Sequence, residues 1–180
     1  MPTPRAPAPM TNSWTTRPET ADDVSAIREV NLAAFPTAAE ADLVEALRAS
    51  DAWIEGLSIV TEDPDGTVVG HALLTRCRVD GAPALALAPC AVLPRVQESG
   101  VGSAAIRAGL EAARANGENL VLVLGHAEYY PRFGFTPASG FGVRASFDVP
   151  DEAMMALALD PDAETPRGTI AYPAPFGRVG

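Results

Sequence analysis

The chain has 180 residues, 47% of them hydrophobic and 20% charged, with a formal net charge of −10 at pH 7. That length fits one folded domain with a sizeable core, and the acidic balance argues against nucleic acid or an anionic membrane surface as partner. Two cysteines and two histidines are too few for a disulfide framework or a histidine-rich metal site, and no apolar run reaches the length of a helical membrane span.

Residues 1–9 are rich in Pro and Ala and lack the apolar stretch of a signal peptide. Residues 1–13 are therefore expected to be a disordered tail, residues 14–180 a single domain, and the protein cytoplasmic. Residues 14–17 suit a short strand that Pro18 ends. Thr20 or Asp22 then caps a helix running to about Phe35, with Val24, Ile27, Val30 and Ala34 on one face. After Pro36, a second helix over residues 38–49 gathers Leu43, Val44 and Leu47 and carries Glu40, Asp42, Glu45 and Arg48 elsewhere.

Residues 58–62 and 67–76 are strand-like and flank Asp63-Pro64-Asp65-Gly66, a turn in which Pro presets φ and Gly accepts a positive one. Asp80-Gly81 marks the next turn, and residues 84–92 return as a third strand. Pro89 lies inside it and has no N–H for the ladder, so the strand is expected to be an edge, or bulged, there. A helix over residues 100–116 buries Val101, Ala105, Ile106, Leu110 and Ala113 and ends at Gly117. Leu120 to Leu124 is a short run of apolar residues suited to a strand covered on both faces. Residues 141–149, 153–159 and 169–172 are expected as closing strands, the second suited to pairing across a homodimer. The order of elements predicts an α/β (α+β, mixed-sheet) fold with helices packed on a central sheet.

Two stretches carry chemistry. Residues 90–103 pass from a strand end through a tight turn into a helix. The first turn of a helix has N–H groups without intrahelical partners and partial positive charge, so it stabilises an anion without any lysine. Gly100 and Gly102 remove side chains that would keep a phosphate away. The spacing matches neither a dinucleotide fingerprint nor a P-loop, and a plain tight turn is the alternative. The second stretch, residues 125–135, follows the apolar strand directly and contains Tyr129, Tyr130 and Phe133. In a strand–helix–strand unit the carboxyl ends of the strands lie side by side, so both stretches should border one crevice.

Gln97-Glu98-Ser99-Gly100-Val101-Gly102 resembles the acyl-CoA signature Q/R-x-x-G-x-G/A of the GNAT family of N-acetyltransferases, and Tyr130-Pro131-Arg132-Phe133-Gly134-Phe135 resembles its later Y-x-x-x-G-F. The wording of both stretches is similar to the YhbS-like branch of that family. The resemblance implies a sheet splayed at a bulged strand and acetyl transfer from acetyl-CoA to an amine of a small molecule or protein, without a metal. It implies that backbone groups of Cys90, Ala91 and Val92 meet the thioester arm. Gln97, Glu98, Ser99, Gly100, Val101, Gly102 and Ser103 would hold the pyrophosphate, and Tyr130 would protonate the departing thiolate. The glutamate base that some members carry four residues before Cys90 is here Ala86. Glu128, His126, His71 and ordered water stay open for that role, with Glu128 taken beside Tyr130 as the catalytic pair. Competing readings are a catalytically idle acyl-CoA-binding module and an ordinary nucleotide-binding α/β protein.

Overall fold

Nine strands and three α-helices form within residues 14–178, which the computed structural model describes; the tail expected over residues 1–13 lies outside them. β1 (Thr15–Pro18), β2 (Ser58–Glu62), β3 (Val68–Val79) and β4 (Ala82–Val92) form an antiparallel run. The Asp63 turn joining β2 to β3 is held by the Asp63 carboxylate, which accepts the N–H groups of Asp65 and Thr67 at 2.9 and 3.0 Å. From β4 the chain crosses over through α3 (Val101–Ala115) to β5 (Leu120–Leu124), which lies parallel to β4. β8 (Met154–Ala158) pairs antiparallel with β5, and β6 (Thr136–Pro137) with β8. β9 (Gly168–Ala171) pairs with the end of β3 and with β7 (Val143–Arg144).

Helices cover both faces because each presents one apolar stripe. On one face the stripe of α3, with Ala105, Ile106, Leu110 and Ala113, packs on Ile59, Leu74, Leu85 and Leu87. On the other, α1 (Val24–Ala34) and α2 (Ala39–Arg48) place Ile27, Val30, Leu43, Val44 and Leu47 against Val60, Leu73 and Ala91. Each of these large side chains contributes about 1.5–3 kcal/mol by leaving water.

Three expectations change. The strand expected over residues 141–149 is reduced to Val143–Arg144, because residues 138–141 turn as a 3₁₀ helix and Gly142 takes a left-handed φ of 74°. The helix expected from residue 20 starts as a separate 3₁₀ turn, Ala21–Asp23, before α1. The strand expected to pair across a dimer is enclosed: β8 is bonded to β5 along its length and to β6 at Met155 and Ala156.

Candidate active site

β4 and β5 stay in register only at Leu85↔Val121 and Ala86↔Leu122. Beyond that point β4 continues to Val92 and β5 to Leu124 without pairing with each other. The departure coincides with a bulge, since Ala88 and Pro89 together oppose the single residue Leu73 of β3. Pro89, which lacks an N–H, sits where the ladder is broken. The Leu93 N–H donates to Val69 O of β3 at 2.9 Å. Strand alternation then turns the backbone of Ala91 toward β3 as well, and that of Cys90 and Val92 into the gap. The methyl of Ala91 is buried under α1 and α2, so Ala91 borders the gap without facing it.

The first turn of α3 opens on the same end of β4. Its N-cap is Gly100 in the left-handed region at φ 92°, with no side-chain cap. The first bond within the helix runs from the Ala104 N–H to Gly100 O at 2.9 Å. The N–H groups of Val101, Gly102 and Ser103 therefore have no intrahelical partner. A Cβ on Gly102 would stand 3.1 Å from Val92 Cγ2, so glycine lets the helix start close to the strand. The preceding loop is held from several sides. The Gln97 amide donates to Val92 O at 3.2 Å, the Ser99 hydroxyl to Val96 O, and the Trp14 indole to Ser99 O at 3.2 Å. Glu98 takes φ 65° and is exposed, so its charge points to solvent. This uncapped, glycine-lined turn fits a pyrophosphate.

At the end of β5 the chain bends through Gly125 into a 3₁₀ turn, Tyr130–Phe133. The Tyr130 ring lies edge-on to Tyr129 and Phe135, with centroids at 5.1 and 5.9 Å, and faces Gly125. The hydroxyl of Tyr129 is 3.0 Å from Ser103 Oγ, tying this turn to the first turn of α3. Tyr130 is a phenol held protonated: burial above all, then the neighbouring Cys90, raises its pKa. The Cys90 thiol beside it is pushed up to about 12, again chiefly by burial, and stays protonated at neutral pH.

Cys90, Pro89, Gly125, His126 and Tyr130 border a cavity of about 1100 Å³. Its other walls come from Phe35, Glu40 and Leu43 at α1 and α2, and from Phe147, Tyr172 and Phe176 of the C-terminal segment. Of the groups open for the base role, His126 is exposed and lines this cavity, whereas Glu128 is exposed and outside its lining. His71 is fully buried and bonded instead to Ser58 at 2.8 Å. Burial, and then the charge of Arg48, lowers its pKa to about 3. Sequence reasoning assigned no role to Glu40 or to the aromatic wall. The signal for Glu40 was present: it stands three, four and seven residues before Leu43, Val44 and Leu47 and so shares their face.

Residues 24–135 match the model of the Acetyltransferase (GNAT) family. The chain belongs to this family. It is 44% identical over 167 residues to the uncharacterized N-acetyltransferase YjhQ of Escherichia coli (strain K12), which covers 87% of this chain and 92% of that protein. Its structure resembles that of the GNAT family N-acetyltransferase YhbS from Escherichia coli in complex with CoA, with a TM-score of 0.87 and 27% identity over 93% of this chain and 94% of that one. A GNAT family acetyltransferase from Brucella melitensis in complex with acetyl-CoA gives a TM-score of 0.75 and 33% identity, covering 91% and 97% of the two chains. The protein is thus an acetyl-CoA-dependent N-acetyltransferase. Among the described residues no group of three or more His, Cys, Asp and Glu is placed to hold a metal ion.

Proposed function

We propose that this acetyltransferase passes the acetyl group directly to a primary amine held in the cavity beside β4. The observation that carries the reading is the parting of β4 from β5 after Ala86, flanked by the uncapped start of α3 and by Tyr130. In it the N–H groups of Cys90 and Val92 serve as hydrogen-bond donors in the gap, and those of Val101, Gly102 and Ser103 hold the pyrophosphate. Acetyl-CoA supplies an acetyl thioester, whose carbon gains a bond to the amine nitrogen as its bond to sulfur breaks. Tyr130 holds a proton at Oη for the leaving sulfur. An alkyl ammonium near pKa ~10.4 costs roughly 4 kcal/mol to deprotonate at neutral pH, and we assign His126 at the cavity to relay that proton to solvent. A donor aimed at the carbonyl oxygen is worth about 3–4 kcal/mol in comparable sites.

We take residues 14–180 as the catalytic domain and, on the unpaired state of Cys77 and Cys90, assign the protein to the cytoplasm. The test is calorimetric titration with acetyl-CoA of the wild type, Gly100→Asp and Gly102→Asp. Micromolar binding that both variants lose by at least about tenfold supports the cradle; equal binding by all three proteins removes it. Tyr130→Phe is expected to keep acetyl-CoA affinity and to lower kcat by roughly 10²–10⁴-fold. An unchanged kcat would remove Tyr130 from the role of acid.

A further inference from the structure

We infer that Arg132 and Arg107 form a second anion site beside the cradle, and that it takes the 3′-phosphate on the ribose of CoA, so that the protein selects CoA over its 3′-dephospho form. This rests on the proposed function, since it takes the first turn of α3 as the seat of the pyrophosphate.

With 23 acidic residues in the chain, an arginine finds an acid easily. Arg17, Arg28, Arg48, Arg76, Arg95 and Arg114 each pair with one, at 2.7–3.6 Å. Among the described residues Arg107 of α3 and Arg132 of the turn Tyr130–Phe133 pair with none, and both are exposed. Their guanidinium groups are nonetheless placed by the fold. That of Arg132 lies over the Tyr129 ring, 4.3 Å from its centroid, and its Nε–H donates to Tyr129 O at 2.8 Å. That of Arg107 lies over the Phe133 ring at 4.8 Å, and the two rings meet edge to face with centroids 5.4 Å apart. With Nε engaged, Arg132 keeps both terminal nitrogens as donors, a fork that matches the oxygens of a phosphate. Two like charges held on neighbouring rings repel each other in the free protein and attract an anion brought to both.

Their place beside the cradle names the anion. Arg132 lies on the face of the Tyr129 ring, and Tyr129 Oη, at the edge of that ring, is 3.0 Å from Ser103 Oγ in the first turn of α3. One phenol ring thus separates the Arg132 guanidinium from the groups proposed for the pyrophosphate. Arg107 stands four residues after Ser103, one turn along the same side of the helix. In CoA a single ribose separates the pyrophosphate, carried on its 5′ oxygen, from the phosphate on its 3′ oxygen, which is a spacing of similar size. The 3′ group is a phosphate monoester with three terminal oxygens, the acceptor that a forked arginine binds best. Arg95 and Arg114 also stand near the ends of α3, but Asp63 and Glu111 already occupy them.

The experiment titrates CoA and 3′-dephospho-CoA, which share the pyrophosphate and the pantetheine arm, into the full chain by calorimetry. Wild type is expected to bind CoA at least about tenfold more tightly than dephospho-CoA, the range for hydrogen bonds to a charged group. Arg132→Gln should weaken CoA by about tenfold and leave dephospho-CoA within about twofold, and Arg107→Gln should act in the same direction more weakly. In the double variant the two nucleotides should bind alike. Added NaCl should narrow the preference of wild type for CoA. A wild type that binds both nucleotides alike overturns the inference, as does an Arg132→Gln that keeps the full preference. So does an Arg132→Gln that weakens both equally, because the guanidinium then serves the pyrophosphate or the fold of its turn. A wild type that binds neither nucleotide overturns the cradle on which the proposed function stands.

Discussion

Replacing Gly125 with alanine would displace Tyr130 without changing any atom of the tyrosine. A Cβ at Gly125 would stand 2.5 Å from Tyr130 Cε2 and 3.3 Å from Cδ2. Gly125 is outside the left-handed region, so its backbone accepts alanine and the conflict is with the ring alone. Reaching ordinary contact at 3.4 Å requires a shift of about 0.9 Å. Tyr129 and Phe135 pack edge-on to the ring and Phe133 lies 6.3 Å away, so the open direction left to it is the cavity it borders, and a shift that way moves the hydroxyl off its place. A displacement near 1 Å of a group that must meet a reacting atom costs on the order of 10²-fold. Overpacking of this kind costs about 1–3 kcal/mol of stability, or a few degrees in Tm for a chain of this size. The assay compares initial rates of CoA release with the acetyl-CoA affinity from calorimetry and with Tm. We expect kcat to fall about a hundredfold, with acetyl-CoA affinity within about threefold and Tm a few degrees lower. In the double variant with Tyr130→Phe the losses should not add, because both remove one interaction. A lowered Tm with kcat within threefold of wild type would refute the reasoning, since the ring would have moved without consequence.

Two further outcomes follow from titration. Cys90, with its thiol pushed up to about 12 by burial, is not a thiolate at neutral pH. Cys90→Ala should therefore keep turnover within about fivefold, and intact-mass measurement with acetyl-CoA alone should find no acetyl group on the protein. The absence of lysine keeps that measurement free of side-chain amine acetylation. His71 is held neutral when folded, with a pKa of about 3 against 6.5 when unfolded. Below pH 6.5 the unfolded chain takes up a proton that the folded one refuses, so stability is lost as pH falls from 6.5 toward 3. Between pH 7.5 and 5.0 this group costs about 2 kcal/mol, and His71→Gln should remove that part of the loss in urea unfolding. The Asp23 carboxyl, held down to about 2 by Arg17, loses its stabilising contribution below pH 4 and leaves this window untouched. Equal losses in wild type and variant would show that His71 is not the group responsible.

The elements that local pattern controls were legible before the structure. Helix α3 shows its period of buried positions, and the β2–β3 hairpin shows its Asp-Pro-Asp-Gly turn. Legibility fails after Phe135, where β6 and β7 are two residues each. Two residues show no periodicity, and these strands exist because β8 and β9 pair with them. The same holds for the cavity. Cys90 and Tyr130 sit in motifs that local sequence reveals, whereas Phe35, Tyr172 and Phe176 meet there only because the chain folds back from far-separated positions.

What marks the site in advance is that local rules are broken there. Pro89 interrupts a strand that otherwise reads as continuous, and Gly100 starts a 15-residue helix without a side-chain cap. Each choice weakens its own element: a lost ladder bond, unpartnered N–H groups. Scattered defects would have no reason to be neighbours. Pro89 lines the cavity, and the uncapped turn at Gly100 opens on the same end of β4. The buried His71 is the useful contrast, because it also breaks the pattern of its strand. Ser58 meets one of its ring nitrogens at 2.8 Å and Asn31 the other at 3.4 Å, and it is outside the cavity lining. A polar group whose partners lie within the fold is explained by the fold. Pro89 and Gly100 leave backbone donors without such partners, and a thioester and a pyrophosphate are the ligands that would supply them.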